Sequence, residues 1–328
     1  MKITYIFRHP SVGFSIQRVF QTINEGVGKA CETKEIFLPS QFSNIFAMIK
    51  NGLYVAKNTG GINHVTGDAH YLLYFLKKKN TVVTVHDIMY YSYISGFKKK
   101  IWKLLYINSL KKAKKVIFIS DFAKEQVLDE IHLPKSQYSI IPNPVSPDFS
   151  FKEKKFNKEK PVILHIGARM DRKNLGRTIM ALVDVPCHLR IIGKISSKNL
   201  ALLEQYGTEY TNAYDLSNAE IVQEYENCDI VNFPSLFEGF GMPIIEGQAV
   251  GRPVITSNIE PMKQVAGESA VLVDPESVAS IREGYLKMIE DDEFREGIIE
   301  KGLNNVKQYQ LEHISNRYLT LYRELLEQ

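Results

Sequence analysis

Short runs of β-branched and aromatic residues alternate along the chain with longer stretches of helical period. In the first half the runs are KITYIF from Lys2, KEIFL from Lys34, TVVTV from Thr81, KVIFI from Lys115 and YSIIP from Tyr138. Between the first two, Ile16, Val19, Phe20, Ile23 and Val27 fall at i, i+3, i+4, i+7 and i+11, the spacing of one apolar helix face. The stretch FSFKEKKFNKEKP, Phe149 to Pro161, loses the alternation and is dominated by lysine and glutamate, which predicts a solvated connection and a domain boundary. The alternation restarts with PVILHIG from Pro161, HLRIIG from His188, DIVNFP from Asp229, PVITS from Pro253 and AVLVD from Ala270. Ser217 and Glu220, in the order S-x-x-E, predict a capping box that starts the helix before Asp229. From about Glu312 a last helix carries Ile314, Tyr318, Leu321 and Leu325 along one stripe. Strands alternating with helices predict an α/β chain of two successive Rossmann-like units, 1–150 and 151–311, each with a parallel sheet covered on both faces.

Composition agrees with that division. The 328 residues fit two domains of roughly 150 each. With 44% apolar and 24% charged residues the chain should be folded throughout. Cys31, Cys187 and Cys228 are far apart and lack CxxC spacing, which argues against a disulfide framework and a thiolate metal site. The apolar run in MKITYIFRHP is too short for a signal peptide, and no segment approaches the roughly 20 apolar residues of a membrane span. A cytoplasmic protein is therefore expected.

The net charge of +4 is mild but unevenly placed. Phe97 to Lys115, FKKKIWKLLYINSLKKAKK, holds eight lysines and no acid. On a helical projection Trp102 and Tyr106 lie beside Lys99 and Lys103, while Ile101, Leu104 and Leu105 form another face. This predicts a helix with a basic, aromatic outer surface that could rest on an anionic bilayer. Ser43 to Lys57 is a second candidate for such a contact. A lysine-rich solvated face is the plain alternative, and neither segment carries a motif for reading nucleic acid.

The richest stretch is FPSLFEGFGMPIIEG, Phe233 to Gly247, which follows a predicted strand and opens a helix. Gly239 and Gly241 let a ligand approach the backbone, Pro243 suits a first helical turn, and unpaired amides at a helix start favour a phosphate. Glu238 lies before the turn and Glu246 about one turn inside it. Their separation, on the order of 10 Å at about 1.5 Å per helical residue, is too long to share a proton but suits two ends of an elongated ligand. Hydroxyls at both ends and phosphates between them describe a nucleotide sugar. Incidental acids at a buried helix start are the alternative. In open α/β sheets ligands bind at the carboxyl ends of the strands, so the chemistry is expected there, in the crevice between the two units. A dehydrogenase is disfavoured, because HPSVGF after the first strand has only Gly13 where GxGxxG is needed.

EGFGMPIIEGQAVGRPVITS, Glu238 to Ser257, resembles the signature of the family 4 retaining glycosyltransferases of GT-B fold: two glutamates with seven residues between them, then a small residue and GxPV. HIGARMDRKN from His165, VHD from Val85, SDFAK from Ser120 and IIPNPV from Ile140 extend the resemblance over most of the chain. It implies two Rossmann-like domains facing a cleft, with the helix 312–328 crossing back to the first. It also implies that Arg169 and Lys173 grip the donor diphosphate, that Glu246 binds the ribose and that Glu238 binds a hydroxyl of the transferred sugar. Gly239, Phe240 and Gly241, with Met242 and Pro243 at the helix start, complete the donor site, and the loop from Gly193 bears on the base. His86 would face the donor sugar near the reacting carbon. Gly13 stands alone where the family usually has two glycines.

The implied reaction transfers a sugar from a UDP- or GDP-sugar to a hydroxyl of a glycan or lipid-linked acceptor, as in building a bacterial surface polysaccharide. The acceptor would attack from the face that the diphosphate leaves, with the leaving phosphate taking the proton. No DxD cluster is present, so neither metal nor cofactor is expected. A nucleotide-sugar epimerase, a sugar phosphorylase and a non-catalytic nucleotide-sugar-binding module are the alternatives.

Overall fold

β-branched runs from each half of the chain lie side by side as a parallel sheet in the computed structural model, which describes residues 1–42 and 44–327. The first sheet is built from β1 (Lys2–Phe7), β2 (Glu32–Phe37), β3 (Ile62–Val65), β4 (Thr81–Val85), β5 (Lys115–Phe118) and β6 (Tyr138–Ile140), in the order β2-β1-β3-β4-β5-β6. The second contains β7 (Val162–Ile166), β8 (His188–Ile192), β9 (Tyr210–Ala213), β10 (Ile230–Phe233), β11 (Val254–Ser257) and β12 (Val271–Val273), in the order β12-β11-β10-β7-β8-β9. The helices needed below are α1 (Phe14–Val27), α2 (Ile45–Asn58), α3 (Gly96–Trp102), α4 (Leu175–Ala181), α5 (Asn218–Asn227), α6 (Met242–Val250) and α7 (Leu311–Glu327). Compact units form from Met1–Pro144 with Leu311–Gln328, and from Val145–Gln310.

The strands predicted from apolar runs are present, and the capping box of Ser217 and Glu220 opens α5. Two strands lack such runs: β3, INHV, and β9, YTNA. In β3 the polar side chains are satisfied from afar. His64 Nε2 lies 2.8 Å from Thr84 Oγ1, and its Nδ1 meets the Tyr322 hydroxyl of α7. α7 buries Ile314, Tyr318, Leu321 and Leu325 as its stripe predicts, packing along α1 where Gly26 leaves room for Ser315.

Two expectations need correction. The lysine-rich stretch after Phe149 is not a free connection: Phe149 is buried against Tyr225 at 5.2 Å, and Phe156 lies under the Arg295 guanidinium at 3.9 Å. The division therefore falls earlier, between Pro144 and Val145. The basic segment also turns the other face inward. Trp102 and Tyr106 stack at 4.7 Å and pack on the core with Leu105, whereas Phe97, Ile101 and Leu104 are exposed. Tyr91 and Tyr71 supply the aromatic partners that draw the two rings inward, at 5.6 and 5.9 Å. In the second candidate segment Phe46, Ile49 and Leu53 of α2 are exposed, and Ser43 lies outside the described residues. Among the described residues no helix is long and apolar enough to cross a membrane.

Burial holds two histidines, His64 in the first unit and His165 in the second, at a pKa of about 3. The unfolded chain takes up these protons below about pH 6.5 and the folded chain does not until about pH 3, so stability is full above 6.5 and falls as the pH drops through that window. Urea unfolding should show a loss of up to about 1.4 kcal/mol per pH unit for each histidine. His64→Gln, whatever its stability at pH 7, should lose the His64 share of that slope; an unchanged slope would refute the assignment.

Candidate active site

In the second sheet the chain leaves β7 toward β8 and returns through β10 toward β11, so the carboxyl ends of the adjacent β7 and β10 flank a switch point. The loops 167–174 and 234–241 emerge there. Gly167 has φ +97°, and a Cβ on it would lie 3.0 Å from Lys173 Cγ and Cε, because the lysine stem crosses its backbone. Asn174 adopts the left-handed conformation at φ 65°, and its amide donates to the carbonyls of Pro234 at 2.9 Å and Pro275 at 2.7 Å. Leu236 N–H donates to the Arg172 carbonyl at 2.7 Å, and the Arg172 guanidinium donates to the Phe237 carbonyl at 2.9 Å. The two loops are thus stapled together through backbone.

The charges meet on Glu238. Arg172 Nη1 lies 2.6 Å and Lys173 Nζ 2.8 Å from the same oxygen, Oε1, and the Glu238 side chain is only 11% exposed. Lys173 Nζ also sits 4.6 Å from the centre of the Phe233 ring. Burial pulls the Lys173 ammonium below the usual lysine range, and the Glu238 carboxylate opposes that shift. Glu246, half-buried on α6, accepts a hydrogen bond from the buried Tyr225 hydroxyl and lies within electrostatic reach of Lys173. Arg169 is exposed and pairs with no carboxylate among the described residues.

α6 begins at Gly241, φ 119°, with Pro243 in its first turn and no side chain capping its amides. Its positive end is therefore directed to whatever occupies the turn. Phe240 and Pro243 are buried and Met242 is half-buried; the Phe240 ring packs on Tyr309 at 5.8 Å, so at that position the backbone alone is available for binding. Gly193, φ +115°, brings the loop after β8 against Ala168: a Cβ there would lie 3.1 Å from the Ala168 nitrogen. Beneath the strand ends His165 Nδ1 contacts the Asn232 amide at 2.9 Å, Asn232 donates to Thr178 at 3.0 Å, and Tyr285 donates to Asn232 at 2.6 Å.

In the first unit the switch point lies between β1 and β3. Gly13, φ 77°, begins α1 without a side-chain cap. His86 follows β4 and is buried; its Nε2 lies 2.9 Å from the Thr66 carbonyl and so carries the proton. A Cβ on Gly67 would lie 2.9 Å from Ile16 of α1 and 3.6 Å from His86, so glycine lets that helix start sit beside the histidine. Arg8 and Asp68 pair at 3.4 Å from the loops after β1 and β3.

The structure brings Lys173, Glu238, Glu246 and the glycine turn together in the second unit, and places Gly13 and His86 in the first. Three contributors escaped the sequence reading: Arg172, Asn174 and Tyr225. Arg172 had a signal, being a second cation beside Lys173. Tyr225 had none, since its partner lies 21 residues away. Among the described residues no group of three or more His, Cys, Asp or Glu side chains is arranged to hold a metal ion.

Residues 147–305 match the family described as Glycosyl transferases group 1, and residues 61–149 match Glycosyltransferase Family 4. The O-antigen chain mannosyltransferase B of Escherichia coli is 24% identical over 282 residues, covering 79% of this chain and 74% of the relative. The O-antigen chain mannosyltransferase RfbU of Salmonella typhimurium is 28% identical over 211 residues, covering 62% of this chain and 59% of the relative, so the match spans about three fifths of that protein's length. Sucrose-phosphate synthase from Thermosynechococcus elongatus superposes with a TM-score of 0.82 at 16% identity, covering all of both chains. The Anabaena protein HepE in complex with UDP and glucose gives 0.78 at 14% identity, covering 99% of this chain and 100% of that one. These likenesses show the GT-B fold.

Gly167→Ala tests the stapled loops. The left-handed backbone and the blocked Cβ should cost about 1–3 kcal/mol, seen as a Tm lower by roughly 2–4 °C per kcal/mol. Gly297→Ala, in the helix Asp292–Asn305 with nothing within 4 Å of its Cβ, should instead be neutral or stabilising by up to about 1 kcal/mol. Equal Tm values for Gly167→Ala and the unaltered chain would contradict the packing described.

Proposed function

This chain belongs to the family 4 glycosyltransferases of GT-B fold, and from that premise we propose that it is a retaining hexosyltransferase using a UDP- or GDP-sugar. The observation that carries the reading is the cluster of Arg172, Lys173 and Glu238 before the uncapped start of α6, with Glu246 held by Tyr225 one turn inside that helix. Cations, a helix start and two carboxylates are the groups that a diphosphate flanked by two polyhydroxyl ends requires. The mannosyltransferase names of two relatives support a mannosyl donor and a surface-polysaccharide acceptor.

In this mechanism Lys173, Arg169 and the α6 amides take the diphosphate. They stabilise the charge that grows on its leaving oxygen as the glycosidic bond breaks, and are worth more in the transition state than in the ground state. Glu246 accepts from the ribose hydroxyls. Glu238 exchanges part of its pairing with the cations for a hydroxyl of the transferred sugar. Gly239 and Gly241 allow the close approach, and Gly193 shapes the loop beside the base. His86, its Nε2 proton committed to Thr66, presents Nδ1 as an acceptor for a sugar hydroxyl. The acceptor hydroxyl attacks the face that the diphosphate leaves and gives its proton to the departing phosphate oxygen, so retention needs no opposed carboxylate. The protein works without a metal, in the cytoplasm and at the inner face of the membrane, where the basic, aliphatic surface of α3 meets anionic lipid.

Thermal shifts with UDP, GDP and their sugars should show saturable stabilisation, about 2.7 kcal/mol at a hundred times the dissociation constant. Glu246→Ala should weaken every nucleotide by about 10- to 100-fold, the worth of a hydrogen bond to a charged group. Lys173→Ala should lower kcat by about 10²–10³-fold. Proton NMR of the product should show the donor's anomeric configuration, with turnover unaffected by chelator. An inverted product would overturn retention. Donor consumption without acceptor would point to an epimerase, and a need for inorganic phosphate to a phosphorylase.

A further inference from the structure

Along the carboxyl edge of the second sheet β8 lies beside β7 and β9 beside β8, so the loops that leave β8 and β9 follow the loop 167–174 outward in order. They are joined through backbone. Gly193 N–H donates to the Ala213 carbonyl at 2.7 Å, and the Asn212 amide donates to the carbonyls of Ile191 at 2.9 Å and Gly193 at 2.8 Å. Gly193 in turn packs on Ala168 of the loop that carries Lys173.

The residues just beyond this staple meet. Lys194 Nζ lies 4.0 Å from Asp215 Oδ2 and 5.1 Å from the centre of the Tyr214 ring, so the aromatic face keeps the ammonium beside the carboxylate. Asp215 takes a left-handed backbone at φ 57°, which aspartate and asparagine accept more readily than most residues. The Asp215 side chain is 79% and that of Lys194 61% exposed; such a pair adds little to stability, and its polar atoms stay open to a ligand. On the opposite flank, after β11, Glu260 is engaged with the Gln264 N–H at 3.1 Å, at the start of the helix Met262–Ala266. At the spacing of paired strands, Lys194 and Asp215 stand about 5–10 Å along the edge from β7. A diphosphate held by the β7 loop reaches across its ribose to its base over a distance of this order.

We propose that Lys194 and Asp215 read the base of the donor and select guanine, a choice that rests on the nucleotide-sugar reading of the loops beside them. Along its pairing edge guanine presents one acceptor, O6, and then two adjacent donors, N1–H and N2–H. The ammonium donates to O6, and the two oxygens of the carboxylate accept from the two donors. No other common base offers two neighbouring donors on that edge. Uracil has one N–H between two carbonyls, so the second carboxylate oxygen would face a carbonyl oxygen. Adenine and cytosine each offer one amino group beside a bare ring acceptor, which leaves a carboxylate oxygen unused. The donor is therefore a GDP-sugar.

Calorimetric titration of the whole chain with GDP, UDP, inosine diphosphate and xanthosine diphosphate separates these contacts. GDP should bind about tenfold or more tighter than UDP. It should exceed inosine diphosphate, which lacks only the N2 amino group, by a similar factor, the worth of one hydrogen bond to a charged group. Asp215→Asn keeps a residue that the left-handed backbone accepts, so the unliganded Tm should hold. In that variant the gap between GDP and inosine diphosphate should close. Xanthosine diphosphate, with a carbonyl in place of the N2 amine, should become the preferred ligand, because the new amide donates to it. Lys194→Met should weaken GDP and inosine diphosphate equally, since both carry O6. Equal affinity for GDP and UDP overturns the proposal, and so does a gap between GDP and inosine diphosphate that survives in Asp215→Asn; Lys194 and Asp215 are then a surface ion pair only. Binding of UDP in preference to GDP keeps the donor reading and removes guanine, whereas no binding of any of the four means that the donor reading itself has failed.

Discussion

The burial of Lys173 is the constraint from which the second unit's loops follow. An ammonium taken out of water needs an anion at contact distance, and Glu238 supplies one at 2.8 Å from the other loop. Loops joined by such a pair cannot drift apart without stranding a buried charge, and the backbone staples through Arg172, Leu236 and Asn174 serve the same end. The local conformations are then dictated. Residue 167 is glycine because the lysine stem crosses it, and residue 174 is asparagine because that residue tolerates a left-handed backbone while its amide bridges two carbonyls. Below, the chain of His165, Asn232, Thr178 and Tyr285 fixes the strand ends from which both loops start.

A cluster of this kind is poised toward anions. Arg172 and Lys173 bring two positive charges against Glu238, Glu246 lies within electrostatic reach of Lys173, and the uncapped end of α6 adds its partial charge. Glu238 holds Arg172 and Lys173 at contact distance through one carboxylate oxygen. In the proposed reaction a diphosphate would exchange these ion pairs for its own, and the donors would need little reorganisation. Tyr225 has the matching role for Glu246, limiting the rotamers of a side chain that must point one way along the helix.

Most strands and the glycine turn were legible because their signals are local: apolar runs, a capping box, a proline at a helix start. What escaped depends on residues distant in sequence. β3 reads INHV and looks like a loop until Thr84 and Tyr322 are seen to satisfy His64. β9 is an edge strand with exposed side chains, so it has no apolar run to detect. The lysine-rich stretch after Phe149 has the composition of a linker, yet two phenylalanines anchor it, one on Tyr225 and one on Arg295. Glu238 and Glu246 were legible as candidate site residues. Their holders, Arg172 and Tyr225, were not, since pairing across loops leaves no mark on spacing.

The basic segment shows why a projection alone chooses the wrong side. It has two apolar faces, aromatic at Trp102 and Tyr106 and largely aliphatic at Ile101 and Leu104, and periodicity treats them as equals. Packing does not. A buried aromatic ring removes roughly 150–250 Å² from water and gains more when stacked. Here Tyr91, Trp102 and Tyr106 form a continuous stack, which a leucine face could not replace. The turn after α3 takes a wider, π-helical path over Lys103–Ile107, and Leu105 packs inward beside the rings. The aliphatic face is left outside by elimination, and the lysines interspersed with it keep an otherwise adhesive surface soluble while biasing it toward anions. The property that distinguishes the first unit's surface is thus a consequence of how its interior chose between two hydrophobic faces.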